Sequence, residues 1–112
     1  MSGAAAIDAV LHPPARLQIA AALSRADQID FATLREILEV SDSVLSKHLS
    51  ALTDAGYVKI TKAKMDGRQR TWAAFTRAGT SAFAAHMAAL RELVASAETA
   101  AADTAAAPAE SG

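Results

Sequence analysis

The stretch Ser41–Val58, SDSVLSKHLSALTDAGYV, decides the fold, because it reads as an amphipathic helix that runs straight into a β-strand. Apolar residues recur at helical spacing and predict a buried face, formed by Val44, Leu45, Leu49 and Leu52. The opposite face is polar and consists of Ser43, Ser46, Lys47 and Ser50. Small hydroxyls with one cation suit the major groove of DNA, where they reach base edges and phosphates. An ordinary amphipathic helix with a solvent-facing polar side shows the same pattern. The flanking segments are therefore needed to distinguish it from a DNA-contacting helix.

Both ends of this helix have recognisable signals. Ser41 or Asp42 is expected to cap its start, and Gly56 is expected to end it in a left-handed conformation. Upstream, Thr33-Leu34-Arg35-Glu36 has the spacing of a capping box, which predicts a short helix from about residue 34 to residue 38. Val40 and Ser41 then make the turn between two helices.

Two further elements are predicted nearer the start of the chain. His12-Pro13-Pro14 breaks any earlier helix, and Pro14 is suited to begin the next one. The apolar residues of that helix are Leu17, Ile19, Ala20 and Leu23. Ile29-Asp30-Phe31 is short and alternating, and it is expected to add a small third strand to a sheet.

A β-hairpin follows the amphipathic helix. Tyr57–Ala63 alternates in polarity, Asp66-Gly67 supplies a two-residue turn, and Thr71–Phe75 returns as the second strand, with Trp72 expected in the core. The hairpin carries five cations, Lys59, Lys62, Lys64, Arg68 and Arg70. Lysines also protect sheet edges from aggregation, so charge alone does not identify a binding surface. Beside a polar helix, however, a basic hairpin has the arrangement of a winged helix.

The predicted architecture is therefore mainly α with a small β-hairpin, a winged helix-turn-helix with N- and C-terminal dimerisation helices. It divides into an N-terminal helical extension (1–12), the winged helix-turn-helix (13–75), a C-terminal helix (76–99) and a disordered, alanine-rich tail (100–112). The residues expected to contact DNA are Ser43, Ser46, Lys47, Ser50, Lys62, Lys64, Arg68 and Arg70. The helix residues are expected to contact the major groove, and the wing arginines are expected to contact phosphate or the minor groove.

The last helix carries an apolar stripe with heptad spacing, at Phe83, Met87, Leu90, Val94 and Ala97. In a monomer the same stripe would pack on the domain. A helix of this length extends past so small a domain, and this favours a homodimer whose seam includes Phe83, Met87, Leu90 and Val94. An amphipathic N-terminal segment with Ile7, Val10 and Leu11 is expected to cover the same seam.

Composition sets the scale and excludes several classes of protein. The 112 residues, 52% of them hydrophobic, suffice for one domain. No apolar run approaches the ~20 residues of a membrane span, and the first residues lack a secretion signal, so a cytoplasmic location is expected. The absence of cysteine excludes disulfides, thiolate zinc sites and thiol redox switches.

The charge is unevenly distributed along the chain. Residues 41–77 carry seven Lys or Arg against three Asp, a balance of +4, whereas the rest carries four against nine, a balance of −5. Because the field at a phosphate depends on local charge, the net charge of −1 does not argue against DNA binding.

The sequence gives little indication of a catalytic or metal-binding site. His12, His48 and His86 lie in distant segments, and no paired carboxylates or glycine-rich phosphate loop appear, so neither an enzyme, a cofactor nor a metal site is expected. His48 lies beside the apolar stripe of its helix and is interpreted as a packing residue. His86 is expected to line the dimer seam.

These residues resemble the small winged-helix DNA-binding domains related to MarR-type and ArsR-type transcriptional regulators, over roughly residues 14–94. The segments that carry the resemblance are Phe31–Arg35, Ser41–Leu49, Leu52–Val58, Arg70–Trp72 and Phe75–Gly79. The resemblance implies a dimeric regulator, a repressor by hypothesis, that binds a palindromic operator. It also implies a small apolar effector in a cleft between the dimerisation helices and the DNA-binding lobe.

One position departs from the family pattern. Relatives place glycine before the Val-Ser of the turn, where this chain has Glu39, and the change predicts a differently shaped turn. Two functions therefore remain open: a sequence-specific regulator that binds double-stranded DNA, and a winged-helix module that binds protein instead. A fold does not by itself separate them.

Overall fold

A computed structural model describes residues 6–106 as four α-helices and three β-strands. In chain order these are α1 (Pro14–Leu23), β1 (Ile29–Asp30), α2 (Phe31–Leu38), α3 (Asp42–Asp54), β2 (Val58–Met65), β3 (Arg68–Phe75) and α4 (Arg77–Ala106). Helices α2 and α3 form the predicted helix-turn-helix, and β2 and β3 form the predicted wing. The predicted fold class, a mainly helical winged helix with a small sheet, is confirmed.

The three strands form one antiparallel sheet in the order β1-β3-β2. The hairpin turn is the predicted Asp66-Gly67, with positive φ values of 54° and 77°. Such a two-residue turn allows pairing to continue up to it, so Met65 pairs directly with Arg68 and the strands are longer than the sequence predicted. Ile29 pairs with Ala73, which makes β1 the small third strand that was expected.

The core lies between the first three helices and one face of the sheet. Its buried residues are Leu11, Ile19, Ala20, Leu23, Leu34, Leu45, Leu49, Leu52, Val58 and Ala73. Two apolar residues expected there are not part of it. Val44 is 41% exposed. Trp72 is half-buried on the reverse face of β3, because side chains alternate along a strand and its neighbour Ala73 faces the helices.

Helix α2 begins at Phe31, three residues before the predicted start. Asp30 occupies its N-cap position, and the Thr33 hydroxyl donates a hydrogen bond to the Asp30 carboxylate at 2.5 Å. The proposed capping box is therefore wrong: Thr33 lies inside the helix. Strand β1 passes directly into α2 without a loop, and this moves the helix start upstream.

The turn between α2 and α3 keeps a left-handed backbone conformation at the position where related sequences have glycine. Glu39 has φ 54° and ψ 48°, and its N–H donates to the carbonyl oxygen of Arg35 at 2.8 Å. The expectation of a differently shaped turn is wrong, since Glu39 adopts the left-handed conformation despite its Cβ.

The described part of the N-terminal extension, residues 6–12, is a turn and not a helix. The carbonyl oxygen of Asp8 accepts hydrogen bonds from Leu11 N–H and His12 N–H, and the Asp8 carboxylate accepts from Val10 N–H at 2.8 Å. Proline at 13 and 14 prevents the turn from continuing as a helix. The turn places Leu11 in the core, where it is fully buried.

Helix α4 continues to Ala106 and includes the first part of the tail that was predicted to be disordered. Alanine has the highest helix propensity, and this explains why an alanine-rich segment extends the helix. The remainder of that tail, residues 107–112, lies outside the described residues, as do residues 1–5. Among the described helices, none combines the length and hydropathy needed to span a membrane.

Candidate nucleic-acid interface

Local signals fix both ends of the predicted recognition helix, α3. The Ser41 hydroxyl accepts a hydrogen bond from Val44 N–H at 3.3 Å and caps the start. At the other end Gly56 adopts φ 81°, and Tyr57 N–H donates to the carbonyl oxygen of Leu52 at 3.0 Å. This pair of signals is a Schellman-type ending, which directs the chain into β2.

The polar face of α3 is open to solvent. All four predicted base-contacting residues are exposed: Ser43, Ser46, Lys47 and Ser50. His48 lies between the two faces and is half-buried. Burial, with the nearby cations of Arg16 and Lys47, lowers the pKa of His48 below its usual 6.5. At neutral pH Lys47 therefore carries the positive charge of this helix.

An ion pair joins the two helices of the helix-turn-helix. Arg35 Nη1 lies 2.7 Å from Asp42 Oδ1, so the carboxylate expected to complement the start of α3 is held by a cation from α2. Both side chains are largely exposed, and such pairs contribute little stability. This pair was not predicted, although opposite charges on either side of a short turn were a usable signal in the sequence.

The wing is a two-stranded ribbon whose cations lie on opposite faces. In the pairing register Lys62 is opposite Thr71 and Lys64 is opposite Gln69, whereas Ala63 is opposite Arg70 and Met65 is opposite Arg68. Cross-strand partners share a face and neighbours along a strand alternate. Lys62 and Lys64 therefore occupy one face, the lysine face, and the arginines the other, the arginine face. Lys59, which is opposite Ala74, lies on the arginine face. All five cations are exposed.

The lysine face is continuous with the recognition helix. A groove of about 290 Å³ separates α3 from the wing, lined by Phe31, Ser46, Leu49, Ser50, Thr53, Asp54, Ile60 and Thr71. Ile60 and Thr71 lie on the same face of the ribbon as Lys62. The structure thus brings Ser46 and Ser50 together with the base of the lysine face, and it adds Thr71, which was not among the predicted site residues.

The arginine face lies against the start of α2. Arg70 Nη1 is 3.9 Å from Asp30 Oδ2, and a second groove, of about 380 Å³, contains Arg68, Arg70 and Asp30 with their neighbours. The hydrogen bond from Thr33, with the nearby charge of Arg70, lowers the pKa of Asp30. Asp30 thus stays ionised near Arg70, whereas Arg68 lies closer to the tip of the wing.

The predicted dimer residues divide between the protomer core and the surface. Phe83 packs on the core and lies against Phe75 with ring centroids 6.0 Å apart and ring planes tilted by 43°, and Met87 and Leu90 are half-buried. Val94 is 54% exposed, as is Leu93, which was not predicted to take part. In the N-terminal segment Ile7 is 37% exposed and Val10 is half-buried, but Leu11 has no exposed surface left for a partner.

His86 occupies a different place from the one expected. It is fully buried in its own protomer, on the side of α4 that contacts the N-terminal turn, and does not lie on an open seam. Its Nδ1 accepts a hydrogen bond from Asp8 N–H at 3.0 Å, and its ring meets that of His12 edge-on at 5.6 Å.

Comparison with known proteins agrees with this geometry. Residues 15–94 match the family model of the winged helix DNA-binding domain. A search of curated protein sequences finds no match. Among solved structures, a transcriptional regulator homologue from Pyrococcus horikoshii OT3 is 25% identical, with a TM-score of 0.73 over 78% of this chain and 86% of that one.

Two further structures share the fold at lower identity. A MarR family transcriptional regulator from Silicibacter pomeroyi is 23% identical, with a TM-score of 0.62 over 77% of this chain and 56% of that one. NadR in complex with 4-hydroxyphenylacetate is 20% identical, with a TM-score of 0.61 over 81% and 67%. The family match spans the helix-turn-helix, the wing and the first half of α4, and the chain belongs to the family of winged helix DNA-binding domains.

Proposed function

We propose that this protein is a transcriptional regulator that binds a palindromic DNA operator as a homodimer and represses by blocking the promoter. The observation that carries the proposal is the shared exposure of the α3 polar face and the wing, on either side of one groove. The likeness to a transcriptional regulator homologue supports it. In this role the protein is expected in the cytoplasm of a bacterial cell, which contains its DNA.

In the proposed complex α3 enters the major groove and the wing tip enters the adjacent minor groove. Ser43, Ser46 and Ser50 are short enough to approach base edges, and Lys47 is positioned for phosphate or guanine. The minor groove is about 6 Å wide, so a ribbon inserted in it faces a backbone on each side. The lysine face and the arginine face would then contact opposite strands.

The proposed dimer follows from the second half of α4. Residues 91–104 are exposed throughout, and they include the apolar side chains of Leu93 and Val94. A 30-residue helix is about 45 Å long, and the molecule is 72 Å in its longest dimension, so this half projects from the body. Its pairing with the same segment of a second copy would bury Leu93 and Val94.

The wing contacts are tested with two matched double variants. Arg68→Ala/Arg70→Ala removes the arginine face, and Lys62→Ala/Lys64→Ala removes the lysine face, while Arg25→Ala is a control outside both elements. Each double variant is expected to weaken binding to every duplex. The slope of log affinity against log salt should fall by about 0.9 for each phosphate that is no longer neutralised, counted twice in a dimer.

Recognition of a specific DNA sequence is tested separately. Selection of bound duplexes from a random pool should enrich a palindrome with half-sites about one helical turn apart. Ser46→Ala or Ser50→Ala should cost about 1–3 kcal/mol on that operator and little on random DNA. If the pool yields no enriched sequence and both wing variants keep the parent's affinity across the salt titration, the protein-binding module becomes the better description.

A small apolar effector belongs to the same proposal. Ile7, Ala9, His12, Pro13, Pro14 and Leu17 line a mostly apolar groove of about 580 Å³ between the N-terminal segment and α1, a volume typical of small-molecule sites. NadR was solved with 4-hydroxyphenylacetate. If the groove binds small apolar aromatic molecules, they should raise the melting temperature, and an unchanged melting temperature at millimolar ligand would contradict this part.

A further inference from the structure

The N-terminal segment, the link between α3 and β2, and α4 meet at a junction built around Asp8. Its backbone N–H donates to His86 Nδ1 at 3.0 Å, and its carboxylate accepts from the Tyr57 hydroxyl at 2.6 Å. The same carboxylate accepts from Val10 N–H at 2.8 Å, and so holds the turn that carries Leu11 into the core. One residue thus links three separate segments of the chain.

The contact defines the protonation state of His86. Since Nδ1 accepts a hydrogen bond, the ring is neutral and its proton is on Nε2. Nε2 is itself buried, and no hydrogen-bond partner for it is found in the described part of the chain. A second proton would have to bind Nδ1, where it would point at the Asp8 N–H. Two donors would then face each other in a buried site, and the contact could not persist.

The groups around His86 do not offer a new partner for that proton. The N-terminal segment contributes Asp8 and His12, the link before β2 contributes Tyr57 through Asp8, and the neighbouring residues of α4 are not titratable. The Asp8 carboxylate is already held by Tyr57 and two backbone N–H groups. Burial lowers the pKa of His86 and nearby His12 lowers it further, while Asp8 partly opposes them.

The junction also reaches the proposed DNA-binding surface. Tyr57 closes the ending of α3, with its N–H bonded to the Leu52 carbonyl oxygen, and its own carbonyl oxygen accepts from Thr76 N–H at 2.9 Å. Release of Asp8 would therefore free the Tyr57 hydroxyl at the point where the recognition helix passes into the wing.

We propose that the Asp8–His86 contact is a pH-operated latch: protonation of His86 releases residues 6–12 from α4 and weakens DNA binding by loosening the end of α3 through Tyr57. The DNA part of this inference rests on the proposed function, whereas release of the segment does not. The latch is closed at neutral pH and opens as the pH falls below about 6.5, the ordinary range of histidine. Asp8 stays ionised over this range, because the hydrogen bonds from Tyr57, Val10 and Leu11 outweigh burial and lower its pKa.

The test compares the parent chain with His86→Asn and His48→Asn between pH 7.5 and 5.0. The asparagine side-chain oxygen at 86 can accept the Asp8 N–H but does not titrate. His48 is a matched control, because its pKa is lowered too but it does not contact Asp8. The measurements are amide hydrogen exchange of Asp8, whose N–H donates to His86 Nδ1, corrected for intrinsic rates, and affinity for the selected duplex.

In the parent and in His48→Asn, protection of the Asp8 amide should fall by about two- to tenfold in acid, as expected for the loss of one hydrogen bond. DNA affinity should fall in parallel, and His86→Asn should abolish both changes. Equal pH profiles for the parent and His86→Asn would overturn the latch. An acid-sensitive segment with pH-independent DNA affinity would overturn its link to DNA, and a complete absence of DNA binding would instead overturn the proposed function.

A second measurement does not depend on how the variants fold. Nitrogen-15 chemical shifts of the His86 ring in the parent report its tautomer directly. The proton should be on Nε2 at pH 7.5. A proton on Nδ1 at that pH would overturn the latch, since the Asp8 N–H would then have no acceptor there.

Discussion

Glu39 connects the two helices of the helix-turn-helix in a conformation that L-residues disfavour. With φ 54° and ψ 48° it lies in the left-handed region, where a Cβ costs about 1–2 kcal/mol. Its side chain is exposed, so removing it takes nothing from the core. The folded state therefore carries a conformational cost at Glu39, which a single substitution can remove.

Glu39→Gly is expected to raise the free energy of unfolding by about 0.5–1 kcal/mol, because relief of the left-handed cost exceeds the extra backbone entropy of glycine in the unfolded chain. Urea denaturation measures the change. Glu39→Ala is the matched control, since it removes the carboxylate but keeps the Cβ and should bring no comparable gain. Equal stabilisation by alanine and glycine would show that the side chain, and not the backbone, is responsible.

At the scale of elements, the start of α4 lies particularly close to the segment that follows α3. A Cβ at Gly79 would overlap the carbonyl oxygen of Tyr57 and lie 2.9 Å from Phe75 Cδ1. Thr76 fixes this approach, as its hydroxyl donates to the Gly56 carbonyl oxygen at 2.6 Å and accepts from Gly79 N–H at 3.0 Å. The start of α4 is therefore attached to the segment that links recognition helix and wing.

Gly79→Ala should lower the free energy of unfolding by about 1–3 kcal/mol, because α4 must move away from Tyr57 to admit the methyl group. Alanine's higher helix propensity acts in the opposite direction and is smaller. Ser81→Ala, at an exposed position of the same helix, is the control and should be near neutral. A Gly79→Ala protein as stable as the parent would contradict this account of the contact.

At the scale of the whole molecule, the proposed dimer depends on a part of α4 that the protomer does not cover. Val94 is 54% exposed, so a charge placed there costs a monomer little. In an apolar interface each unpaired charge costs several kcal/mol. Val94 therefore allows association to be tested with less disturbance of the protomer than a charge at the half-buried Leu90 would cause.

Val94→Asp should convert a dimer to a monomer at micromolar concentration and leave the melting of the protomer nearly unchanged. Sedimentation measures the change in mass. Thr99→Asp is the matched control, since it introduces the same charge at an exposed position about 140° around the helix from Val94 and about 120° from Leu93. If the parent chain itself sediments as a monomer, or if both variants associate as the parent does, the proposed seam is wrong.

The sequence by itself determined the elements whose signals are local. Ser41 at the start of α3, Gly56 at its end and Asp66-Gly67 in the hairpin act through bonds within a few residues, and all three are confirmed. With a two-residue turn the register of the wing also follows, so the separation of Lys62 and Lys64 from Arg68 and Arg70 was available from the alternation of the strands. The match of residues 15–94 to the winged helix family agrees with the resemblance noted from the sequence.

Only the tertiary structure decided features that depend on segments distant in the chain. Asp8 and His86 are 78 residues apart, and Asp8 and Tyr57 are 49 apart, so no local pattern relates them. The same holds for Trp72, whose face depends on which side of the sheet the helices cover, and for Leu11, which enters the core through a turn that looked like a helix. Periodicity shows that a face is apolar, but which element covers that face is decided by packing.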